Sequence, residues 1–389
     1  MPWGNTSFAT LDKKITLAYR PSGSLPAATY QSVQWANFTA TFASAVASNT
    51  GPAVSSGSGT QAFQFAEQRH IAYADDLIAS WQKSGLYDDF LPGLFDAMKT
   101  PNGYVAVPYN LDMRVLWYRK ALLDKAGVEP PTDWQSYLDA CQALKKIGAY
   151  GFGLAAGPQG NGFQILVGLL INNGGGLFDA DQKPNCVTAA NIEALEFVVE
   201  MVRKGYADPA GVGYSTTNAY DQWKADRYAM GFESPGLAQQ VAGKVGPDMY
   251  VGDPLVSAAG KKGALSFPNN IMMYTNTPSQ QGSEAFLTYY YRHMAQLWTQ
   301  HTGIGLPVLK SIAATEEFRS DKNAAKMISV WQPICKTWAA PGGDALFADI
   351  ALVDSTPAMT TFAQSVLSLK ATPKQALQTL QQTLTSQMK

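Results

Sequence analysis

Gly103-Tyr104-Val105-Ala106-Val107-Pro108-Tyr109-Asn110-Leu111-Asp112-Met113-Arg114-Val115-Leu116-Trp117-Tyr118 is the stretch on which the fold turns. It contains two β-type runs, Tyr104–Pro108 and Val115–Tyr118, with Asn110, Asp112 and Arg114 set between them. Similar short runs recur on either side, at Ile15–Tyr19, Gly51–Ser56, Gly151–Ala155, Tyr228–Phe232, Met249–Val256 and Leu265–Tyr274. Helical patterns stand between them. Pro130-Pro131 stops the chain, Thr132 offers a cap with Gln135 three residues on, and Trp134, Leu138, Cys141 and Leu144 repeat at helical spacing before Gly148. Ile192, Leu195, Val199 and Val202 predict a helix over 191–204, closed by Gly205. A third is expected over Ser283–Thr299, and a last one after Thr372-Pro373, where Gln375 completes a capping box and Leu377, Leu380 and Leu384 form the stripe. Strands alternating with helices predict α/β architecture.

Composition limits the function. At 389 residues the chain has room for about two domains. Its 29 Lys+Arg balance 30 Asp+Glu, for a formal charge of -1, so it lacks the basic footprint of a nucleic-acid binder. No apolar run approaches the ~20 residues that span a bilayer. The opening MPWGNTSFATLDKK has neither the basic nor the apolar region of a secretory signal, so residues 1–14 read as a polar leader. Cys141, Cys186 and Cys335 lack metal-ligand spacing, and of the three only Cys186 and Cys335 could pair without drawing in Cys141 from its helix stripe. Neither a metal nor a cofactor is expected.

The chemistry-bearing motifs are few. Gly174-Gly175-Gly176 lacks the spacing of a phosphate loop and reads as a helix-ending turn. Asp179-Ala-Asp181 is too short for a calcium loop and reads as a turn. Asp75-Asp76 and Asp88-Asp89 are neighbours and cannot face each other across a substrate, which leaves helix capping as their role. His70, His293 and His301 stand outside any triad or HExxH context. The aromatic load is the exception, with 9 Trp, 18 Tyr and 17 Phe. Sugar rings present apolar C–H faces with a hydroxyl rim, so a carbohydrate site needs flat rings beside polar side chains. Trp35, Tyr109, Phe163, Trp223, Phe267, Trp331 and Trp338 are the candidates, and ordinary core packing is the competing role for each.

Taken in order, several segments resemble the extracellular solute-binding proteins of ABC importers, in the carbohydrate-binding family that includes maltose-binding protein. They are Trp35-Ala-Asn-Phe38, Ser84-Gly-Leu-Tyr-Asp-Asp-Phe90, the 103–118 stretch, Leu123 to Trp134, Gly175-Gly-Leu-Phe-Asp179, Ala229 to Gly236 and Leu306-Pro-Val-Leu-Lys-Ser311. The resemblance implies a periplasmic-binding-protein fold of two α/β lobes joined by three crossings, with the ligand clamped in the cleft between them. The first lobe would comprise 15–112 plus 266–308 and the second 113–265 plus 309–389. Only Arg20–Ala28 separates the run at 15–19 from an extended run at Thr29–Trp35, too short for a parallel crossover. So either the first helix is missing, or 27–48 form one helix and a strand is lost.

The implied function is capture of a small carbohydrate and its delivery to the transmembrane subunits of an ABC permease. No reaction, nucleic acid or second copy is involved, and the location is extracytoplasmic. The implied ligand-binding set is Trp35, Tyr109, Asn110, Asp112, Arg114, Phe163, Gln164, Trp223, Glu233, Ser234, Phe267, Asn269 and Trp331. Gly57 and Gly236 stand where maltose-binding protein carries stacking tryptophans, which argues against maltose as the ligand. The rival readings are a carbohydrate-active hydrolase or lyase, and the same fold holding a phosphorylated polyol or a polyamine.

Overall fold

The computed structural model describes residues 6–33, 38–57, 59–353 and 356–388. Its strands in chain order are β1 (Val54–Gly57), β2 (Ile71–Ala72), β3 (Lys99–Thr100), β4 (Gly103–Tyr104), β5 (Val107–Met113), β6 (Val115–Arg119), β7 (Met230–Glu233), β8 (Met249–Val251), β9 (Ala264–Tyr274), β10 (Leu306–Pro307) and β11 (Cys335–Lys336). Helices fill the intervals, and the fold is α/β. The chain divides into two units, one of 1–112, 267–325 and 345–351, the other of 113–266, 326–344 and 352–389.

In the first unit β9 lies between β1 and β5, with β10 beyond β5 and β2 also against β9. The β1 and β9 ladder is antiparallel, with Ser56 opposite Ile271 and Gly57 opposite Asn270. Helix α1 (Thr6–Leu17) precedes the sheet, followed by α2 (Phe38–Ala47), α3 (Gln61–Glu67) and α4 (Asp75–Ser84). Alpha1 is a correction to the sequence reading, which has a polar leader to residue 14 and a strand over 15–19. Phe8, Asp12, Ile15 and Tyr19 are all buried, and their spacing of four, three and four is helical. Asp12 hides the pattern by placing a charge in an otherwise apolar stripe. Residues 20–33 contain no helix, so the single helix over 27–48 does not form. Asp75 and Asp76 lie in the first turn of α4, where carboxylates favour the helix dipole, while Ala74 is the cap. Trp81 of α4 is fully buried against Phe90 and Tyr291, 5.6 and 4.8 Å away between ring centroids.

In the second unit β6 is the central strand of an antiparallel sheet ordered β7-β6-β8. The register sets Val115 opposite Glu233 and Tyr118 opposite both Met230 and Tyr250. Helices α5 (Lys120–Ala126), α6 (Trp134–Lys146), α7 (Gly162–Asn172) and α8 (Ala189–Arg203) belong to this unit. Asp133 caps α6, one residue beyond the expected Thr132, because its carboxylate accepts from the Ser136 amide at 2.8 Å. Cys141 is buried on the apolar face of α6, as its place in the stripe requires, and all three cysteines are free thiols, so Cys186 and Cys335 do not pair. Asn172 ends α7, with Gly174 at φ +81° turning the chain. Gly151–Ala155 forms isolated bridges at Phe152 and Gly153 instead of a strand in a ladder. The helix expected over Ser283–Thr299, in the first unit, is two, Gln280–His293 and Gln296–Thr299. The terminal helix Pro373–Gln387 has the Thr372 and Gln375 capping box.

Asp12 ties α1 to the first unit's core. Its carboxylate accepts from the Tyr290 hydroxyl at 2.5 Å, and Tyr290 in turn meets the Tyr109 hydroxyl at 3.0 Å. Burial raises the Asp12 carboxyl above the ordinary carboxylate range, against the opposing effect of the Tyr290 bond. The native chain therefore keeps this proton at a pH where the unfolded chain has lost it. Native stability relative to Asp12→Asn, which cannot ionise, is expected to rise as pH falls from 7 and to level off below about 3.9, the ordinary aspartate value. Denaturation midpoints of the two proteins between pH 7 and pH 4 measure this, and a difference that stays flat removes Asp12 as the cause.

Candidate functional site

The residues expected to meet a ligand fall into a set on each unit. In the second unit the set forms where the strand ends of β6 and β7 meet the first turn of α7. Antiparallel pairing of Val115 with Glu233 puts Arg114, the residue before β6, at the same sheet end as Glu233. The chain then enters α7 through Gly157-Pro-Gln-Gly160-Asn161-Gly162, a tight reversal in which the Gly162 amide donates to Ala155 O at 2.6 Å. A side chain at Gly160 would collide with that same carbonyl, so glycine is required there.

Asn161 is the N-cap residue of α7, yet its side chain makes no capping bond. Its Nδ2 donates instead to Glu233 Oε2 at 2.7 Å. Glu233 is 1% exposed and Asn161 7%. Asn161 Oδ1 is a buried acceptor with no donor. Three residues on, Gln164 Oε1 accepts from both Nε and Nη2 of Arg114, at 2.8 and 2.5 Å, while Arg114 Nη1 donates to Met113 O at 3.1 Å. Between these two polar residues Phe163 lies parallel to Trp338, with centroids 6.1 Å apart and planes at 13°. Ser234 contributes its carbonyl to Trp117 Nε1 at 3.0 Å. Arg114, Phe163, Gln164, Glu233 and Ser234 are thus all in this unit, in adjacent pairs at the start of α7 and the ends of β6 and β7.

In the first unit Asn269 Nδ2 donates to Asn110 Oδ1 at 3.0 Å, and both residues are buried. On the adjacent residue, Asn270 Nδ2 donates to Gly59 O at 3.2 Å. Asn270 Oδ1 and Gln61 Oε1 are buried acceptors with no donor, and both lie close to the point where a Gly57 side chain would begin. Asp112 and Phe267 are half-buried at the ends of this unit's segments.

Five expected stacking rings are corrected to core residues, Phe163 at 5% and Trp338 at 2% exposed among them. Tyr109, 1% exposed, is held by Tyr290 and packs edge-on to Trp298. Trp223, fully buried, meets Tyr228 at 90°. Trp331, 1% exposed, donates to Gly252 O at 3.0 Å inside the second unit. A ring with no exposed face cannot stack on a sugar in this form. Trp35 lies outside the described residues. Sequence reasoning missed Asn161, Gln61 and Asn270, although the glycine-rich entry to an apolar helix is a signal for the first. Among the described residues no cluster of three His, Cys, Asp or Glu is placed to hold a metal ion, and no helix is long and apolar enough to cross a membrane.

Removing Asn161 takes a donor from a buried carboxylate. Asn161→Leu is expected to lower the unfolding free energy by about 1–3 kcal/mol, and adding Glu233→Gln to that variant is expected to recover part of the loss. Urea denaturation of the two variants and the parent tests the pair, and strictly additive losses would mean that the two side chains act independently.

Known proteins share the sequence family and fold of this chain. The family of bacterial extracellular solute-binding proteins matches over residues 26–297. A sugar transporter from Arthrobacter chlorophenolicus, solved with bound laminaribiose, is 45% identical, with a TM-score of 0.90 over 100% of this chain and 99% of its own. The sugar-binding protein MalE of Xanthomonas citri shares the fold at 17% identity, with a TM-score of 0.81 over 99% of this chain and 96% of that one. Among curated relatives, a protein of Brucella abortus named only as a binding protein is 22% identical over 269 residues, which is 64% of this chain and 64% of that one. The chain thus spans just under two thirds of the length of that relative. With the family matched over more than half its residues and a whole-chain relative at 45% identity, this chain belongs to the bacterial extracellular solute-binding proteins.

Proposed function

We propose that the chain captures a small carbohydrate outside the cytoplasmic membrane and delivers it, as a monomer, to the permease subunits of an ABC importer without altering it. The observation that carries this reading is the 45% identity, along the whole chain, to a transporter protein holding laminaribiose. A short β-linked glucan is therefore the first ligand to test. The chemistry of the second-unit set supports it. Asn161, Gln164 and Glu233 give the mixture of amide and carboxyl groups that hydroxyls both donate to and accept from, and Phe267, half-buried in the first unit, is the candidate ring that keeps an exposed part. A micromolar ligand corresponds to about -8 kcal/mol, within reach of a few rings and charge-assisted hydrogen bonds.

Asp112 is assigned a hydroxyl-accepting role, from its half-buried place at the last residue of the first unit's opening segment. A thermal-shift screen of mono- and disaccharides, laminaribiose included, tests the function. A ligand at 100 times its dissociation constant is expected to stabilise the chain by about 2.7 kcal/mol. Asp112→Ala is expected to weaken binding by about 1.5–3 kcal/mol in calorimetry while leaving the ligand-free melting temperature in place. The proposal fails if no sugar shifts the transition, or if incubation for hours releases cleavage products.

A further inference from the structure

We infer that the carbohydrate taken by this chain is electrically neutral, and that Gln164 enforces this by keeping Arg114 occupied. The inference rests on the carbohydrate reading above and concerns the charge class within it. A uronate carboxylate or a sugar phosphate is gripped by a guanidinium that offers two parallel N–H groups along one edge. In the second-unit set, the guanidinium among these residues is that of Arg114. Its Nε and Nη2, the pair that would form such a fork, both donate to Gln164 Oε1, at 2.8 and 2.5 Å. Its Nη1 donates to Met113 O at 3.1 Å, and its backbone amide to Leu265 O at 2.9 Å. With 9% of its surface exposed, Arg114 is held in this arrangement from several sides.

The rest of the set leans the same way. Glu233 brings a buried carboxyl group to the sheet end that Arg114 occupies, and Asn161 Oδ1 is a buried acceptor waiting for a donor. Both favour an O–H and oppose an anion. Gln164, its oxygen spent on Arg114, retains its amide nitrogen as a donor on a half-buried side chain. Lys336, two residues before Trp338, is paired with Asp344 at 2.9 Å. Hydroxyl groups, which donate and accept, match this pattern, and a carboxylate or phosphate does not.

The test titrates the full chain, by calorimetry at neutral pH and low salt, with laminaribiose and with a disaccharide of glucuronic acid and glucose. Glucose 6-phosphate serves as a second anion. Laminaribiose is expected to bind at least a hundredfold more tightly than either anion. Gln164→Leu exposes the guanidinium edge and is expected to narrow that ratio at least tenfold by strengthening uronate binding, whereas Gln164→Glu is expected to keep the rejection. A uronate that binds the native chain as tightly as laminaribiose overturns the inference, and so does a folded Gln164→Leu protein whose ratio is unchanged. The native titration decides the charge preference even if the Leu variant does not fold. Binding of anions with sugar specificity intact refutes only this inference, while silence toward every sugar refutes the carbohydrate reading and this inference with it.

Discussion

A carboxylate with 1% of its surface exposed must be answered by donors, and Glu233 imposes that demand on the second unit. It sits at the end of β7, fixed there by the ladder to β6. The answering amide comes from Asn161, so the chain must deliver the start of α7 to this point, and the glycine-rich reversal before it is the means. Removing one partner of such a buried hydrogen-bonded pair costs far more than the pair adds to stability. Position of α7, and with it Phe163 and Gln164, follows from that single requirement.

Beta6 shows how the same residue type can serve different ends. Arg119 closes the strand with carboxylates, Asp248 at 2.7 Å and Asp226 at 2.8 Å, and also donates to Trp223 O. Such a pairing anchors β6 to the loops around it. Arg114, at the strand's other end, has its fork on a neutral amide oxygen. An amide holds the guanidinium in place without cancelling its charge. The two arginines thus end the strand differently, one on carboxylates and one on an amide oxygen.

Much of the fold was legible because local pattern and tertiary role coincide there. Beta6 and β9 are bounded within a residue or two of their apolar runs, and α8 and the terminal helix follow their stripes and caps. Where they diverge, the reading fails. Alpha1 was hidden because a buried aspartate interrupts its apolar face, and a tyrosine pair in the core satisfies that aspartate out of sight of any local rule. The aromatic candidates divide by a similar logic. Tyr109, Phe163, Trp223, Trp331 and Trp338 are buried whereas Phe267 is half-buried, because depth in the unit depends on which strand and helix faces meet, and composition does not record that. Asn161 escaped notice because asparagine before a helix reads as an ordinary cap, whereas here its side chain turns away to serve a residue 72 positions on.

The place of β9 in the first unit governs the order in which the chain can mature. Beta1 and β5 both lie against β9, so a strand that begins more than two hundred residues after β1 is the element that joins them. A ribosome adding roughly 5–20 residues per second needs on the order of ten seconds or more to cover that interval. Throughout it, β1 and β5 have no central strand to pair with, and the side chains that later line the core stay open to solvent. The second unit has β6, β7 and β8 in hand before β9 is complete. Synthesis therefore leaves the earlier half of the first unit unpaired longest, a state in which an export machinery or a chaperone would find extended, unpaired strand to hold.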